Sequence, residues 1–163
     1  MTKKQTPVQL ADTLFHELRS LIEETRSSVA VTVNTALTML YWRVGKRISK
    51  ELLQGERAAY GAEILPTLSA KLLRDFGRGW SERNLAYMVR LAETFPDGDI
   101  LQALSAKLSW SHFKAIIYLD DPLKRDFYAE MCRVESWNTR TLQKKIGSML
   151  VERTALSKEP DEL

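Results

Sequence analysis

The chain has 163 residues, of which 44% are hydrophobic and 28% are charged, a composition typical of one globular domain that can bury a core. A single cysteine, Cys132, excludes an internal disulfide framework, and with only two histidines we expect no metal, no cofactor and a cytoplasmic protein. The net charge is +3, and the longest uncharged stretch, residues 27–42, is too short and polar for a membrane span, so we expect no membrane segment.

Apolar residues recur at spacings of three and four along most of the chain, a period that predicts α-helices. A first helix is predicted over about residues 8–26 and a second up to about Leu53. The join between them alternates valine with other residues as a strand would, but we assign it to helix because no second strand pattern exists to pair with it. A third helix follows Gly61, with Pro66 near its first turn. The sequence therefore predicts an all-α domain of about six or seven helices.

Three tryptophans each precede a residue that can cap a helix, an arrangement typical of hydrophobic staples. The pairs are Trp80–Ser81, Trp110–Ser111 and Trp137–Asn138. The staples predict that Trp80 packs on Leu85 and that Trp137 packs on Leu142. Asp121 followed by Pro122 predicts one more helix start.

Residues 68–95 have the organisation of a helix-turn-helix-like unit. A short apolar helix ends at Phe76, Gly77 suits the left-handed conformation after a helix, and a second helix follows the cap Ser81. The face of that helix opposite its apolar residues suits the major groove of DNA, with Ser81 and the helix N-terminus toward the backbone. The residues assigned to the groove are Arg83, Asn84, Tyr87 and Arg90. The structural alternative is an αα-corner with a solvated outer face.

The last predicted helix repeats this arrangement. Its apolar residues, expected to face inward, are Leu142, Ile146, Met149 and Leu150. Arg140 and Lys144 are expected to face outward with Lys145 on the flank. Together with Arg78 these three residues are the candidate phosphate contacts.

Basic residues are concentrated in three windows, residues 43–57, 71–90 and 133–153, each with a net charge of +3. The windows therefore total +9 and the rest of the chain −6, an asymmetry typical of a surface that binds a polyanion. Duplex DNA is the expected partner, and structured RNA stays open because arginine and tyrosine suit both. The other interpretation is a solvated face of mixed charge without a ligand.

The sequence contains no catalytic pattern that its context supports. Pro96–Asp97 and Gln143–Lys144–Lys145 imitate the PD…(D/E/Q)xK signature of nucleases, but those residues act from adjacent strands, whereas these lie in a turn and in a helix. His112 is expected at a helix start or in the core, and Cys132 is expected to be a small buried residue. We therefore expect no enzyme activity from this chain alone.

Short motifs spread over nearly the whole chain carry a family resemblance. They are Tyr41–Trp42 with Gly45 and Ile48, Tyr60–Gly61, Leu68–Ser69 with Leu72, the run from Phe76 to Leu85 with Tyr87–Met88, the run from Leu108 to His112, Asp121–Pro122 with Arg125 and Phe127–Tyr128, Trp137 with Arg140 and Leu142, and Ala155–Leu156–Ser157. On these residues the chain resembles the N-terminal domain of the YhcG family. Trp80 stands where that family usually has phenylalanine, a conservative departure.

The resemblance implies a helical, helix-turn-helix-like, DNA-binding domain that precedes a C-terminal nuclease domain of the PD-(D/E)xK type. We therefore expect residues 1–153 to form the nucleic-acid-binding domain and residues 154–163 to be a polar tail or linker toward a nuclease domain in cis that this chain lacks. The family's catalytic residues have no positions here onto which they can be carried. The alternative function is a helical protein-interaction or dimerisation module without direct nucleic-acid contact, in which the N-terminal helices form a homodimer or dock another partner.

Overall fold

The structure, a computed structural model, describes the backbone of residues 4–52 and 61–158 and the side chains of residues 4–52 and 63–154. These ranges contain eight helices and no strand, which confirms the all-α prediction. The helices are α1 (Pro7–Leu52), α2 (Gly61–Phe76), α3 (Glu82–Thr94), α4 (Gly98–Ser105), α5 (Trp110–Ile116), α6 (Pro122–Glu135), α7 (Thr139–Gly147) and α8 (Leu150–Lys158). The described ranges thus contain more helices than the six or seven that the sequence predicts. Two predicted helices are joined in α1, but α4 and α8 were not predicted as separate helices.

α1 is one continuous helix of 46 residues, about 69 Å long at 1.5 Å per residue. It runs through the valine-rich join, so the assignment of that join to helix is confirmed. Valines 29, 31 and 33 adopt helical geometry because extending an existing helix costs little and no partner strand competes for them. No helix in the described ranges, α1 included, has the hydrophobic length needed to cross a membrane.

The C-terminal part of α1 packs across α3 and α4. The closest approach is at Gly45, where a Cβ atom would lie only 1.8 Å from the carbonyl oxygen of Met88, so glycine is required for the two backbones to touch. Trp42 Nε1 donates a hydrogen bond to the carbonyl oxygen of Phe95 at 2.7 Å. Asn34 Nδ2 donates to the carbonyl oxygen of Ser105, the last residue of α4, at 2.7 Å and to that of Leu108 at 2.9 Å. The packed part of α1 therefore begins at Asn34.

The preceding segment of α1, Pro7 to Val33, projects from the domain, and every side chain in it is exposed. We call this segment the arm. Its apolar residues recur at helical spacing and form a stripe along the arm, in which Leu14 is 47% exposed, Phe15 58% and Leu21 60%. Within the described ranges nothing covers this stripe.

Two apolar clusters form the core. The large cluster comes from α3 to α7 and consists of Leu91, Phe95, Leu101, Leu108, Phe113, Ile116, Ile117, Tyr128, Ala129, Cys132 and Leu142. The small cluster joins α1 to α3 and consists of Ile48, Leu85 and Met88. Trp80 packs on the small cluster and Trp137 on the large one. Each tryptophan thus lies with the leucine that its staple predicts.

Three predicted N-caps are confirmed. Ser81 Oγ accepts a hydrogen bond from the amide three residues later at 3.2 Å, and Asn138 Oδ1 does the same at 2.8 Å. Asp121 Oδ1 accepts from the amide two residues later at 2.9 Å, and Pro122 occupies the first turn of α6. These caps satisfy amides that have no partner inside their helices.

The prediction that Ser111 caps α5 is wrong. The cap is Ser109, whose Oγ accepts from the His112 amide at 3.4 Å while His112 Nδ1 accepts from the Ser109 amide at 3.0 Å. This reciprocal capping box is favoured because it satisfies two amides at once, and it makes Trp110 the first residue of α5. His112 Nε2 also lies 2.7 Å from the Trp137 carbonyl oxygen, so a helix-start role for this histidine is confirmed.

The last predicted helix is divided into α7 and α8. Met149 lies between them with φ 55° and is 56% exposed, so the expectation that it faces inward is wrong. Glycine and serine at 147 and 148 are weak helix formers, and Ser148 Oγ donates to the Lys145 carbonyl oxygen at 3.0 Å, which helps to end α7. Ile146 and Leu150 pack on the large cluster, as predicted.

Candidate nucleic-acid interface

The segment for which the sequence predicts a helix-turn-helix-like unit comprises α2, the turn at residues 77–81 and α3. Gly77 has φ 85°, the left-handed conformation expected of it, and its amide donates to the Leu73 carbonyl oxygen at 3.0 Å. Ser69 Oγ donates to the Trp80 carbonyl oxygen at 2.9 Å, which ties α2 to the turn. α3 contacts α1, α2 and α5, so most of its circumference is covered and its free face is narrow.

Tyr87 and Arg90, which we expected to face outward, face α5. Arg90 Nε donates to the Ile117 carbonyl oxygen at 2.8 Å, and Arg90 Nη2 lies 3.2 Å from the carboxylate of Asp120. Tyr87 is partly buried and packs edge-on against Trp110, with 6.5 Å between ring centroids. The expected orientation is wrong for these two residues because a helical wheel shows which side chains share a face, not which neighbouring helix covers it.

Arg78 and Arg83 are exposed side chains of this unit. Neither has an ion pair or a side-chain hydrogen bond in the described part of the chain. Ser81 and Asn84 instead fix the turn, since the Ser81 hydroxyl caps α3 and Asn84 Nδ2 donates to the Gly79 carbonyl oxygen at 3.3 Å. The two arginines are therefore exposed cations without an acidic partner in the described ranges, as is Lys71 of α2, whereas the exposed Arg74 pairs with Asp75.

A polar cleft of about 310 Å³ joins α3 to α5 and α7. Its lining residues are Tyr87, Ser111, Lys114, Ala115, Thr139 and Gln143. Arg83 lies one turn before Tyr87 on α3, and Arg140 and Lys144 directly follow the two α7 residues of the lining. The two segments assigned to nucleic acid from sequence, α3 and α7, thus each contribute residues to the lining of this cleft. We call this surface, the cleft with Arg83, Arg140 and Lys144, the basic cleft.

Lys114 is a candidate residue that the sequence analysis missed. Its Nζ lies 5.7 Å from the ring centroid of Tyr87 and 6.0 Å from that of Trp110, so the ammonium group is held beside two aromatic rings. Trp110 and Lys114 are one helical turn apart, and this spacing is the signal that could have shown the contact. A cation next to aromatic rings offers a phosphate contact beside surfaces on which bases can stack.

The basic residues of α7 divide between two sides of the helix. Arg140 and Lys144 are exposed and, within the described ranges, have no ion pair. Lys145 is partly buried, with its Nζ 5.7 Å from the ring centroid of Trp137. Lys145 therefore packs on the domain, whereas Arg140 and Lys144 are available to a ligand.

Ion pairs compensate charges elsewhere on the domain. Arg133 Nε donates to Glu130 at 3.0 Å, and this hydrogen bond lowers the pKa of Glu130. Lys124 Nζ lies 2.5 Å from Glu152, and their hydrogen bond raises the pKa of Lys124 and lowers that of Glu152. The basic cleft contrasts with these regions because Arg83, Arg140 and Lys144 have no such carboxylate partner in the described residues.

The residues that could suggest catalysis have structural roles. Asp97 Oδ1 accepts from the Asp99 amide at 2.9 Å and caps α4. Cys132 is buried, as expected, and burial raises the pKa of its thiol to about 11, so little thiolate forms near neutral pH. In the described ranges no group of three or more His, Cys, Asp or Glu residues could hold a metal ion.

Comparison with known proteins identifies the family. Residues 17–153 match the family described as the DUF1016 N-terminal domain. The chain belongs to this family. It is also 30% identical to "Putative nuclease YhcG" of Escherichia coli (strain K12), over an alignment that covers 91% of this chain and 47% of that protein. The resemblance found from short motifs is thereby confirmed. No solved structure matches the chain.

The residues matched by the family include the candidate site. The DUF1016 match begins at Glu17, inside the arm, and ends at Arg153, so it includes the packed part of α1 and the whole basic cleft. The chain spans about half the length of the relative from Escherichia coli. The matched family is described as an N-terminal domain, and the name "Putative nuclease YhcG" belongs to the relative as a whole.

Proposed function

We propose that this DUF1016 N-terminal domain binds nucleic acid, with duplex DNA as the ligand, through the basic cleft. The observation that carries the proposal is that the cleft brings α3, α5 and α7 together. Lys114 lines this cleft, and the exposed cations Arg83, Arg140 and Lys144 lie on two of the three helices that border it. A relative named as a nuclease supports a nucleic-acid ligand. In full-length relatives the domain holds a nuclease domain in cis on its substrate, and residues 154–163 lead toward that domain.

The residues of the proposed site have different tasks. Arg83, Arg140 and Lys144 contact phosphates, because they are exposed and without carboxylate partners in the described ranges. Lys114 and Tyr87 form the floor of the cleft. There the Lys114 ammonium group contacts the nucleic-acid backbone and the Tyr87 ring contacts the bases. Arg78 in the exposed turn adds a further phosphate contact. Arg90 and Lys145 lie outside the site because each is bound to the domain itself.

The salt dependence of binding tests this proposal. Five cations that each neutralise one phosphate give a slope of log Kd against log salt of about 4.5, at about 0.9 per phosphate. Fluorescence anisotropy with a labelled duplex, a single strand and an RNA hairpin measures affinity and preference. Binding that is absent at low salt, or that does not depend on salt, contradicts the proposal. A preference for the RNA hairpin over the duplex would show that the ligand is RNA and not DNA.

Two variants of equal charge locate the site. Lys144→Ala should weaken binding to every duplex and reduce the slope by about 0.9. Arg19→Ala removes the same charge from the arm, where Arg19 pairs with Glu23, and should leave both quantities unchanged. Equal losses in the two variants would show that binding depends on net charge alone, not on the basic cleft.

A second function is favoured by the arm. A helix segment with an uncovered apolar face is a typical docking surface for another protein. Binding by the arm and binding by the basic cleft use different residues. The domain can therefore serve as a protein-interaction module as well as a nucleic-acid-binding one.

A further inference from the structure

The apolar stripe of the arm faces away from the domain. At about 100° per residue, the stripe lies nearly opposite the face of α1 that packs on α3 and α4. The packed face includes Thr38, Gly45 and Ser49, all buried. The stripe includes Leu10, Leu14, Phe15, Leu18, Leu21, Ile22, Val29 and Val33, all exposed. The arm therefore cannot use this stripe to pack on the domain from which it projects.

The stripe continues along α1 into an apolar groove between α1 and α2. Leu37 and Leu40 extend it and are 44% and 39% exposed. The groove has a volume of about 630 Å³ and is lined by Leu40, Arg43, Val44, Arg47, Ile48, Leu68, Leu72, Phe76 and Trp80. Phe76, at its edge, is 70% exposed. The stripe and the groove thus form one apolar surface on the same side of α1.

The charges around this surface are complementary. From Pro7 to Val33 the arm contains four acidic and two arginine side chains, a net charge of −2. The charged residues that line the groove are Arg43, which has no ion pair in the described ranges, and Arg47, whose Nη1 lies 2.6 Å from Glu51 Oε1. A continuous helix cannot fold back on itself, so the arm cannot reach its own groove. The groove of a second copy, however, is accessible to the arm. Its apolar lining complements the apolar stripe, and its positive charge complements the negative charge of the arm.

We propose that two copies of this chain form a dimer in which the arm of each packs antiparallel on α1 and in the groove of the other. A two-fold axis near Ala30 then places Glu17 opposite the partner's Arg43. Residues 27–36 near the axis have small or medium side chains, which let the helices approach closely. A standard stable interface buries about 1,600 Å² in total, and the exposed apolar stripes of two arms contribute to it from both copies. This inference names the partner in the second function proposed above and does not depend on nucleic-acid binding.

Sedimentation equilibrium of the full chain and of three variants tests the dimer. Leu18→Glu places a charge in the stripe, and Phe76→Glu places one at the groove, so each should yield a monomer. Ser20→Glu adds the same charge to the exposed polar face of the arm and should stay dimeric. Circular dichroism checks that each variant is folded, which is expected because neither Leu18 nor Phe76 belongs to the buried core.

The proposed register is tested by exchanging charges. Arg43→Glu should weaken dimerisation at least tenfold, and adding Glu17→Arg to the same chain should restore it. A chain that remains monomeric up to about 100 μM overturns the inference. A dimer that Leu18→Glu abolishes but Phe76→Glu leaves intact also overturns it, since the arms would then pair only with each other. DNA binding by a folded monomeric variant shows separately whether the basic cleft functions.

Discussion

Arg83 and Arg90 lie about two turns apart on α3, and the structure predicts opposite consequences of replacing them. Arg83 is exposed beside the basic cleft, whereas Arg90 donates to the carbonyl oxygen of Ile117 at 2.8 Å. Arg83→Ala should weaken binding of duplex DNA and leave the free energy of unfolding within about 0.5 kcal/mol of the parent. Arg90→Ala should lower the free energy of unfolding because the carbonyl at the end of α5 loses its donor.

The size of the Arg90 effect follows from its contacts. A hydrogen bond from a charged group contributes about 1.5–3 kcal/mol. The pair with Asp120 adds little because the Asp120 side chain is 96% exposed. The guanidinium carbon lies 5.6 Å from the ring centroid of Tyr118, a contact worth about 0.5–1 kcal/mol at an exposed site. Arg90→Ala should therefore cost about 2–4 kcal/mol of stability.

Two measurements on the same proteins separate the roles. Urea unfolding gives stability, and anisotropy with a labelled duplex gives affinity under conditions where every variant is folded. Arg90→Lys is the matched control, since it keeps the charge but loses the fork that reaches both Ile117 and Asp120, and it should lose stability while binding DNA normally. The reasoning is refuted if Arg90→Ala is as stable as the parent and loses as much affinity as Arg83→Ala.

Further predictions follow from single contacts. Gly45→Ala should lower stability by about 1–3 kcal/mol in urea unfolding, because its Cβ would collide with Met88, whereas Gly147→Ala, with no atom within 4 Å of the new Cβ, should leave stability unchanged or raise it slightly. Equal midpoints for the two variants would contradict this. Since burial raises its thiol pKa to about 11, Cys132 should resist alkylation at pH 8 until the protein is unfolded. Rapid labelling of the native protein would show that the thiol is accessible. The purified chain should not nick supercoiled plasmid with Mg²⁺ or Mn²⁺, and nicking that disappears in Asp97→Ala would overturn that expectation.

Features that depend on neighbours in the sequence could be predicted well. The caps at Ser81, Asn138 and Asp121 each use an amide two or three residues later, so the residue type and its position are sufficient. The error at Ser111 has the same local origin. Two serines flank Trp110, and the prediction did not take into account His112, whose side chain completes the capping box that makes Ser109 the better cap.

The orientation of α3 could not be predicted, because it depends on a helix distant in sequence. Periodicity places Arg83, Tyr87 and Arg90 on one face, and that grouping is geometrically sound. Whether the face meets solvent depends on α5, whose end accepts the Arg90 hydrogen bond across 27 residues. Lys114 was missed for the related reason that its neighbour Tyr87 belongs to another helix.

The two parts of α1 show why one helix can serve two partners. Averaged over its length, the helix has little amphipathic character because the packed face after Asn34 and the stripe of the arm lie on opposite sides. The packed part of α1 nucleates the helix, and the arm extends from it. An isolated peptide with the sequence of the arm, which contains several valines, would have only marginal helical stability in water. No glycine or proline interrupts α1 between Val8 and Val44. Any protein bound to the stripe is therefore held in a fixed orientation relative to the basic cleft, which links the two proposed functions geometrically.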